Sequence, residues 1–277
     1  KIKNLGSYFF PNSKGIPYEN VGPTFIDIKE KFLLKLLEIL INKLNISGEL
    51  RILDVGAHLG ESFLQTIIIC RKNNLILNYK GFEPNFDSFY FLKNFVKTNT
   101  NSNDKNELFN IALSNKNKIG KIFYEKEFSS TSVLKENTSS SSARSSNISC
   151  YKLDDIENIK YSKNFIFKID VEGHEFQLLE GGIEVIKEFR PIVIIEIWNP
   201  ESKEDLKADS NKKNYIYKFF SDLDYEIYQI QNKSLKKRPM TFKKIKNFPT
   251  NLLFWESFPE GELNDYVLLP KELEIVL

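Results

Sequence analysis

Apolar positions along the chain follow two alternating periods. Between Phe25 and Leu44, the residues Phe32, Leu33, Leu36, Leu37, Leu40 and Leu44 fall at helical spacing and predict an amphipathic helix ahead of the core. The run from Arg51 to Gly56 is short and apolar, and Glu61–Lys72 behind it has helical periodicity, so together they predict a strand, a tight glycine turn and a helix. A second unit runs from Leu77–Glu83 through Pro84 to Asn85–Lys97, where Phe86, Phe89, Tyr90, Leu92 and Phe95 suit a buried helix face. Glu107–Leu113 reads as a third strand, and Lys121–Tyr124 and Ser149–Leu153 as short ones flanking Phe128–Asn147. The serine-rich part of that segment has no periodicity and reads as a mobile surface loop, with an active-site lid as the alternative.

Phe165–Val171 and Ile192–Trp198 are continuous apolar runs, as in parallel strands covered on both faces, and Glu175–Phe189 between them reads as a helix. Tyr215–Leu223 and Tyr225–Gln231 add a helix and a strand, and Leu252–Trp255 an edge strand. Alternating strands and helices predict an α/β fold, a Rossmann-like doubly wound and mostly parallel sheet over residues 49–277. Residues 1–48 form an N-terminal helical extension to it. In such sheets ligands sit beyond the carboxyl ends of the strands, which directs attention to the residues just after strands one, two and four.

Composition narrows the function classes. The 277 residues carry 39 Lys plus Arg against 37 Asp plus Glu, so no global field calls for a polyanionic partner. With 41% hydrophobic and 13% aromatic residues the chain is no disordered segment, and at this length about 75% of its surface is buried on folding. No apolar run approaches the ~20 residues of a membrane span. Lys1–Pro11 lacks the order of a signal peptide, and two cysteines, Cys70 and Cys150, make no disulfide framework or metal quartet, so a reducing, cytoplasmic setting is expected.

Three strand ends carry candidate chemistry. Asp54-Val-Gly56-Ala57-His58-Leu-Gly60 ends the first strand; its glycines let backbone approach a ligand, and the helix start behind it offers unpaired N–H groups. A dinucleotide loop requires G-x-G-x-x-G, whereas His58 stands where the second glycine belongs, which counts against NAD. Glu83, closing the second strand in Gly-Phe-Glu-Pro, is placed to accept both hydroxyls of a ribose. The fourth strand ends in Lys168-Ile-Asp170-Val-Glu172-Gly-His174-Glu175, a crowd of ionisable groups that is costly unless solvated, paired or functional.

This last string, together with Ile52-Leu-Asp-Val-Gly-Ala, Phe82-Glu-Pro, Asn110-Ile-Ala-Leu-Ser114 and Leu153-Asp154-Asp155, resembles the FkbM family of S-adenosylmethionine-dependent methyltransferases from about Arg51 to Trp198. The resemblance implies a class I methyltransferase sheet and O-methylation of a hydroxyl on a sugar, glycan or related small molecule. By position it assigns Asp54, Gly56, Ala57 and Gly60 to the methionine part of the cofactor, with His58 hydrogen-bonding nearby. Glu83 falls to the ribose, Asn110, Ala112 and Leu113 to the adenine neighbourhood, and Asp170 and Glu172 to the methyl-transfer site. His58 departs from the family's usual Asn, and His174 stands where a small residue is more frequent.

Methyl transfer to an alcohol needs an aligned acceptor oxygen and a base for its proton. His174 has the side chain suited to that near neutrality and ranks first, Asp170 second and Glu196 third; the alternative for His174 is a structural hydrogen bond at a helix start. His58 and His174 both fall at strand ends near carboxylates, but no closely spaced ligand motif accompanies them, so no residue is assigned to a metal and magnesium stays the lesser alternative. Lys233, Lys236, Lys237, Arg238, Lys243, Lys244 and Lys246 form a basic run that reads first as a solvated face. It keeps an RNA 2′-O-methyltransferase as the rival enzyme, while His58 and His174 keep a non-catalytic cofactor-binding protein as the rival from another class. Trp198 and Trp255 read as core before sugar-stacking platforms. The sequence leaves the oligomeric state open.

Overall fold

The computed structural model describes residues 32–124, 133–134, 144–157, 165–200, 202–231, 239–253, 262–275 and 277. The chain divides into two compact units, Lys1–Ala112 with Ile119–Ser149, and Leu113–Lys118 with Cys150–Leu277.

In the first unit, helix α1 (Phe32–Leu44) buries Leu33, Leu36, Leu37, Leu40 and Ile41, the stripe its spacing predicts; residues 25–31 of the expected helix lie outside the described residues. It packs on α2 (Glu61–Lys72), where Gln65 Oε1 accepts the Leu34 N–H at 3.0 Å. Strands β1 (Glu49–Val55), β2 (Ile76–Phe82) and β3 (Lys105–Phe109) run parallel in that order, with Asp54 opposite Gly81 and Phe82 opposite Phe109. Parallel neighbours need a crossover, supplied by α2 and by α3 (Phe86–Asn99). Phe63 meets Tyr79 and Phe95 edge-on at 5.2 and 5.6 Å between centroids, tying both helices to the sheet. The expected third strand divides, because Asn110 and Ile111 separate β3 from β4 (Ala112–Leu113). Strand β5 (Lys118–Tyr124) pairs through Ile122 and Phe123 with β6 (Val133–Leu134).

Strand β7 (Arg144–Tyr151) begins inside the serine-rich segment, so the expected loop ends at least four residues early; residues 125–132 and 135–143 lie outside the described residues. Serine and asparagine there read as loop because strand pairing is decided by a partner edge, which propensity does not see.

In the second unit, β8 (Ile166–Ile169) and β9 (Ile192–Glu196) are parallel and almost wholly buried. The expected helix Glu175–Phe189 is two helices, α4 (Glu175–Glu180) and α5 (Ile183–Phe189), broken at Gly181-Gly182. Gly181 passes so close to the Ser114 carbonyl that a Cβ would sit 2.0 Å from its oxygen. Helix α6 (Leu206–Asp222) starts nine residues before the expected Tyr215, since its buried stripe of Lys213, Ile216 and Phe220 begins with a lysine that no apolar pattern reveals. Strand β10 (Tyr225–Gln231) is as expected. Leu252 and Leu253 are coil rather than an edge strand, and Phe254 and Trp255 lie outside the described residues. The pattern missed both β12 (Glu262–Pro270), antiparallel between β9 and β10, and β11 (Thr241–Lys244), antiparallel beyond β10. The fold is thus α/β and Rossmann-like, its parallel strands linked by helices and its C-terminal strands antiparallel. Among the described residues no helix is long and apolar enough to cross a membrane.

Asp154 shows how a motif residue serves the fold: its carboxylate accepts the amino-terminal amides of α5, Val185 N at 3.0 Å and Glu184 N at 3.3 Å. Asp154→Ala is expected to cost about 1 kcal/mol, the usual worth of such a cap, as a lower urea midpoint with an unchanged slope.

Candidate active site

The turn after β1 places three left-handed residues in five, Gly56 at φ 80°, His58 at 46° and Gly60 at 99°. Histidine, like asparagine, enters that region more readily than most side chains, so His58 tolerates the φ that this turn requires. Gly56 N and Ala57 N both donate to the Phe82 carbonyl at 3.0 Å, which docks the turn onto the end of β2. A side chain at Gly60 would press on Leu92 and Phe95, each 3.0 Å away.

Glu83 closes the second strand of this unit, just beyond the end of β2. Its Oε2 accepts the His58 N–H at 2.8 Å and its Oε1 the Asn85 N–H at 2.7 Å, so one amide from the glycine turn and one from the start of α3 hold the carboxylate from two sides. Burial pushes its carboxyl up, while His58 and these amides pull it back down. Asn110 braces the same chain segment, its Nδ2 donating to the carbonyls of Glu83 at 2.9 Å and Pro84 at 3.0 Å. A carboxylate has about four acceptor sites, so the two amides leave one on each oxygen for a vicinal diol.

Asp54 lies deeper than its place in the motif implies. It is fully buried, with the hydroxyls of Tyr79 (2.5 Å) and Ser62 donating to Oδ2. Burial, and then the charge of Asp54, hold the Tyr79 hydroxyl well above its ordinary pKa. Sequence reasoning missed both hydroxyls.

In the second unit, β8 gives way to Asp170, and Lys168 Nζ lies 3.4 Å from its Oδ2. Glu172 and Gly173 follow, both left-handed, and then α4. His174 occupies the cap position of α4 but its side chain makes no cap; Nε2 instead meets Ser114 Oγ at 3.0 Å, and both residues are buried. Ser114 in turn donates its N–H to the Tyr151 carbonyl at 2.8 Å. Glu196 ends β9 half-buried, opposite Asp265 of β12, while Ala112 and Leu113 are buried in β4. Among the described residues no group of three or more His, Cys, Asp or Glu side chains could hold a metal. Of the basic run, Lys233, Lys236, Lys237 and Arg238 lie outside the described residues, and Lys244 pairs with Glu226 at 2.5 Å.

Glu175 is the other residue missed, though the final position of the acidic string was a signal for it. Its Oε1 accepts the Gly173 N–H at 2.8 Å, and burial, aided by the charge of Asp170, pushes its carboxyl up to about 7 against the lowering effect of backbone amides. A carboxyl raised in the fold favours folding fully below its unfolded pKa, and that contribution is lost as pH climbs from about 4.5 to about 7. Glu175→Gln removes the titration, so between pH 4 and pH 8 the variant is expected to gain about 3 kcal/mol on the wild type, read from urea midpoints at both pH values.

Three parallel strands ending in a glycine turn, an amide-held carboxylate and a bracing asparagine define a Rossmann-like α/β protein. Residues 54–227 match the family model described as the methyltransferase FkbM domain, and the chain belongs to that family. Similar solved structures include an FkbM methyltransferase from Methylobacillus flagellatus KT, 21% identical over 66% of this chain, with a TM-score of 0.43. The chain spans 39% of that protein's length. A precorrin-6y C5,15-methyltransferase from Geobacter metallireducens GS-15 is 10% identical over 94% of each chain, with a TM-score of 0.37. The plantazolicin methyltransferase BpumL, in complex with SAH, is 12% identical over 91% of this chain and 87% of its own, with a TM-score of 0.40. No curated protein matches the chain.

Proposed function

We propose that the protein transfers the methyl group of S-adenosylmethionine to a hydroxyl of a sugar, glycan or related small molecule. The observation that carries this reading is Glu83, held by the amides of His58 and Asn85 with an acceptor site left on each oxygen, beside a left-handed glycine turn. Such a carboxylate suits the two ribose hydroxyls of the cofactor. Asp54, Gly56, Ala57, His58 and Gly60 serve its methionine part, and Asn110, Ala112 and Leu113 the adenine neighbourhood.

The acceptor oxygen attacks the methyl carbon in line as the carbon–sulfur bond breaks, giving a methyl ether and S-adenosylhomocysteine, and a base takes the hydroxyl proton. Asp170 is the base we favour, with Glu172 beside it in sequence and Glu196 a further candidate. The Nε2 of His174 is engaged with buried Ser114, which supports a structural part for that histidine. The buried Cys70 and Cys150 fit a reducing, cytoplasmic setting.

The test is production of S-adenosylhomocysteine with a panel of sugars and nucleotide-sugars, run with and without RNA. Turnover that depends on a sugar hydroxyl supports the proposal. Turnover only with RNA transfers it to an RNA 2′-O-methyltransferase, and binding without turnover on any acceptor favours the non-catalytic reading.

A further inference from the structure

Two consecutive left-handed residues, Glu172 at φ 53° and Gly173 at φ 93°, join β8 to α4. For a residue with a Cβ this conformation costs on the order of 1 kcal/mol and persists where the surroundings fix it. A Cβ on Gly173 would meet no atom within 4 Å, so φ and not space calls for glycine there. The turn is fastened from two sides: His174 N donates to the Val171 carbonyl at 3.2 Å, and Gly173 N donates to the Glu175 carboxylate at 2.8 Å. The second bond is to a group that can be charged and is only 5% exposed, where a hydrogen bond is strong and water competes little. The carboxyl is buried at the first residue of a six-residue helix, a position that costs it solvation and that the Gly173 amide offsets.

We propose that Glu175 is a positioning residue for methyl transfer: its buried carboxyl locks the Glu172–Gly173 turn and so fixes where Asp170 and Glu172 present their carboxylates. The role rests on the proposed reaction, in which a displacement of about 1 Å can cost on the order of a hundredfold in rate.

Hydrogen exchange of the Gly173 amide, measured beside steady-state kinetics in Glu175→Ala and Glu175→Gln, tests it. Glutamine still offers an oxygen to Gly173 N, so Glu175→Gln is expected to keep both the protection of that amide and kcat within about threefold. Glu175→Ala is expected to lose the protection and to lower kcat about thirtyfold, with KM for S-adenosylmethionine unchanged within about twofold. If the alanine variant does not fold, Glu175→Asp serves in its place, because it keeps a carboxylate but withdraws it by a methylene, and the same loss is expected. An alanine or aspartate variant that keeps wild-type kcat, or keeps Gly173 protected, would overturn the positioning role. A wild-type chain that turns over no acceptor marks failure of the functional reading, whereas turnover in the wild type matched by Glu175→Ala marks failure of this one.

Discussion

Replacing Glu83 by alanine is expected to weaken S-adenosylhomocysteine binding about a thousandfold, the worth of two hydrogen bonds to a charged acceptor at about 2 kcal/mol each. The loss has two sources. The ribose hydroxyls lose their acceptor, and the amides of His58 and Asn85, now 2.8 and 2.7 Å from the carboxylate oxygens, lose the group that aligns the glycine turn with the start of α3. Glu83→Gln separates the two, because its amide NH2 would face one of those N–H donors and misalign one side only. Its affinity should fall between wild type and alanine. Calorimetric titration of all three proteins checks this ordering, with circular dichroism confirming that each is folded.

Gly181→Ala is expected to be the most damaging single methyl in the second unit. In an ordinary helix alanine is better than glycine by about 1 kcal/mol, and the backbone of Gly181 at φ −86° would accept it. Sterics decide otherwise: the new Cβ would lie 2.0 Å from the Ser114 carbonyl oxygen and 2.8 Å from its carbon, and these are backbone atoms that cannot swing aside. Moving Ser114 away would also break its bonds to Tyr151 and His174. The cost is expected to be at least about 3 kcal/mol, seen as a fall in urea midpoint or as loss of folded protein. Gly182→Ala is the control. Its Cβ would come no nearer than 3.0 Å, to the movable tip of Leu153, so it should cost about 1 kcal/mol.

What was legible in the sequence followed local rules. The glycine turn was visible because left-handed backbone demands glycine or a tolerant residue, and Glu83 because, although a lone Glu before proline usually marks a surface turn, this one closes the second strand after that glycine turn. Features built from distant partners were hidden. Asp54 looks like a residue poised at a strand end, yet Tyr79, twenty-five positions away, and Ser62, eight away, take it into the core. The first half of α6 was missed because its buried face opens with Lys213, made tolerable by an ion pair with Asp209 at 2.7 Å. Strand β12 was missed for the same reason, since its buried Asn264 and Asp265 read as turn residues. Asn264 is accommodated by Asn199, whose Nδ2 donates to its Oδ1 at 3.2 Å. The ring of His174 was legible as a strand-end histidine, but its orientation toward Ser114, sixty residues earlier, was not.

The central claim is that this chain holds the nucleoside of S-adenosylmethionine on Glu83, and a calorimetric titration of the wild-type protein with S-adenosylmethionine, S-adenosylhomocysteine and NAD tests it most directly. The account predicts saturable binding of the first two at one equivalent, lost in Glu83→Ala, and none of NAD. Absence of binding by either methionine cofactor, or binding that Glu83→Ala leaves intact, would contradict it.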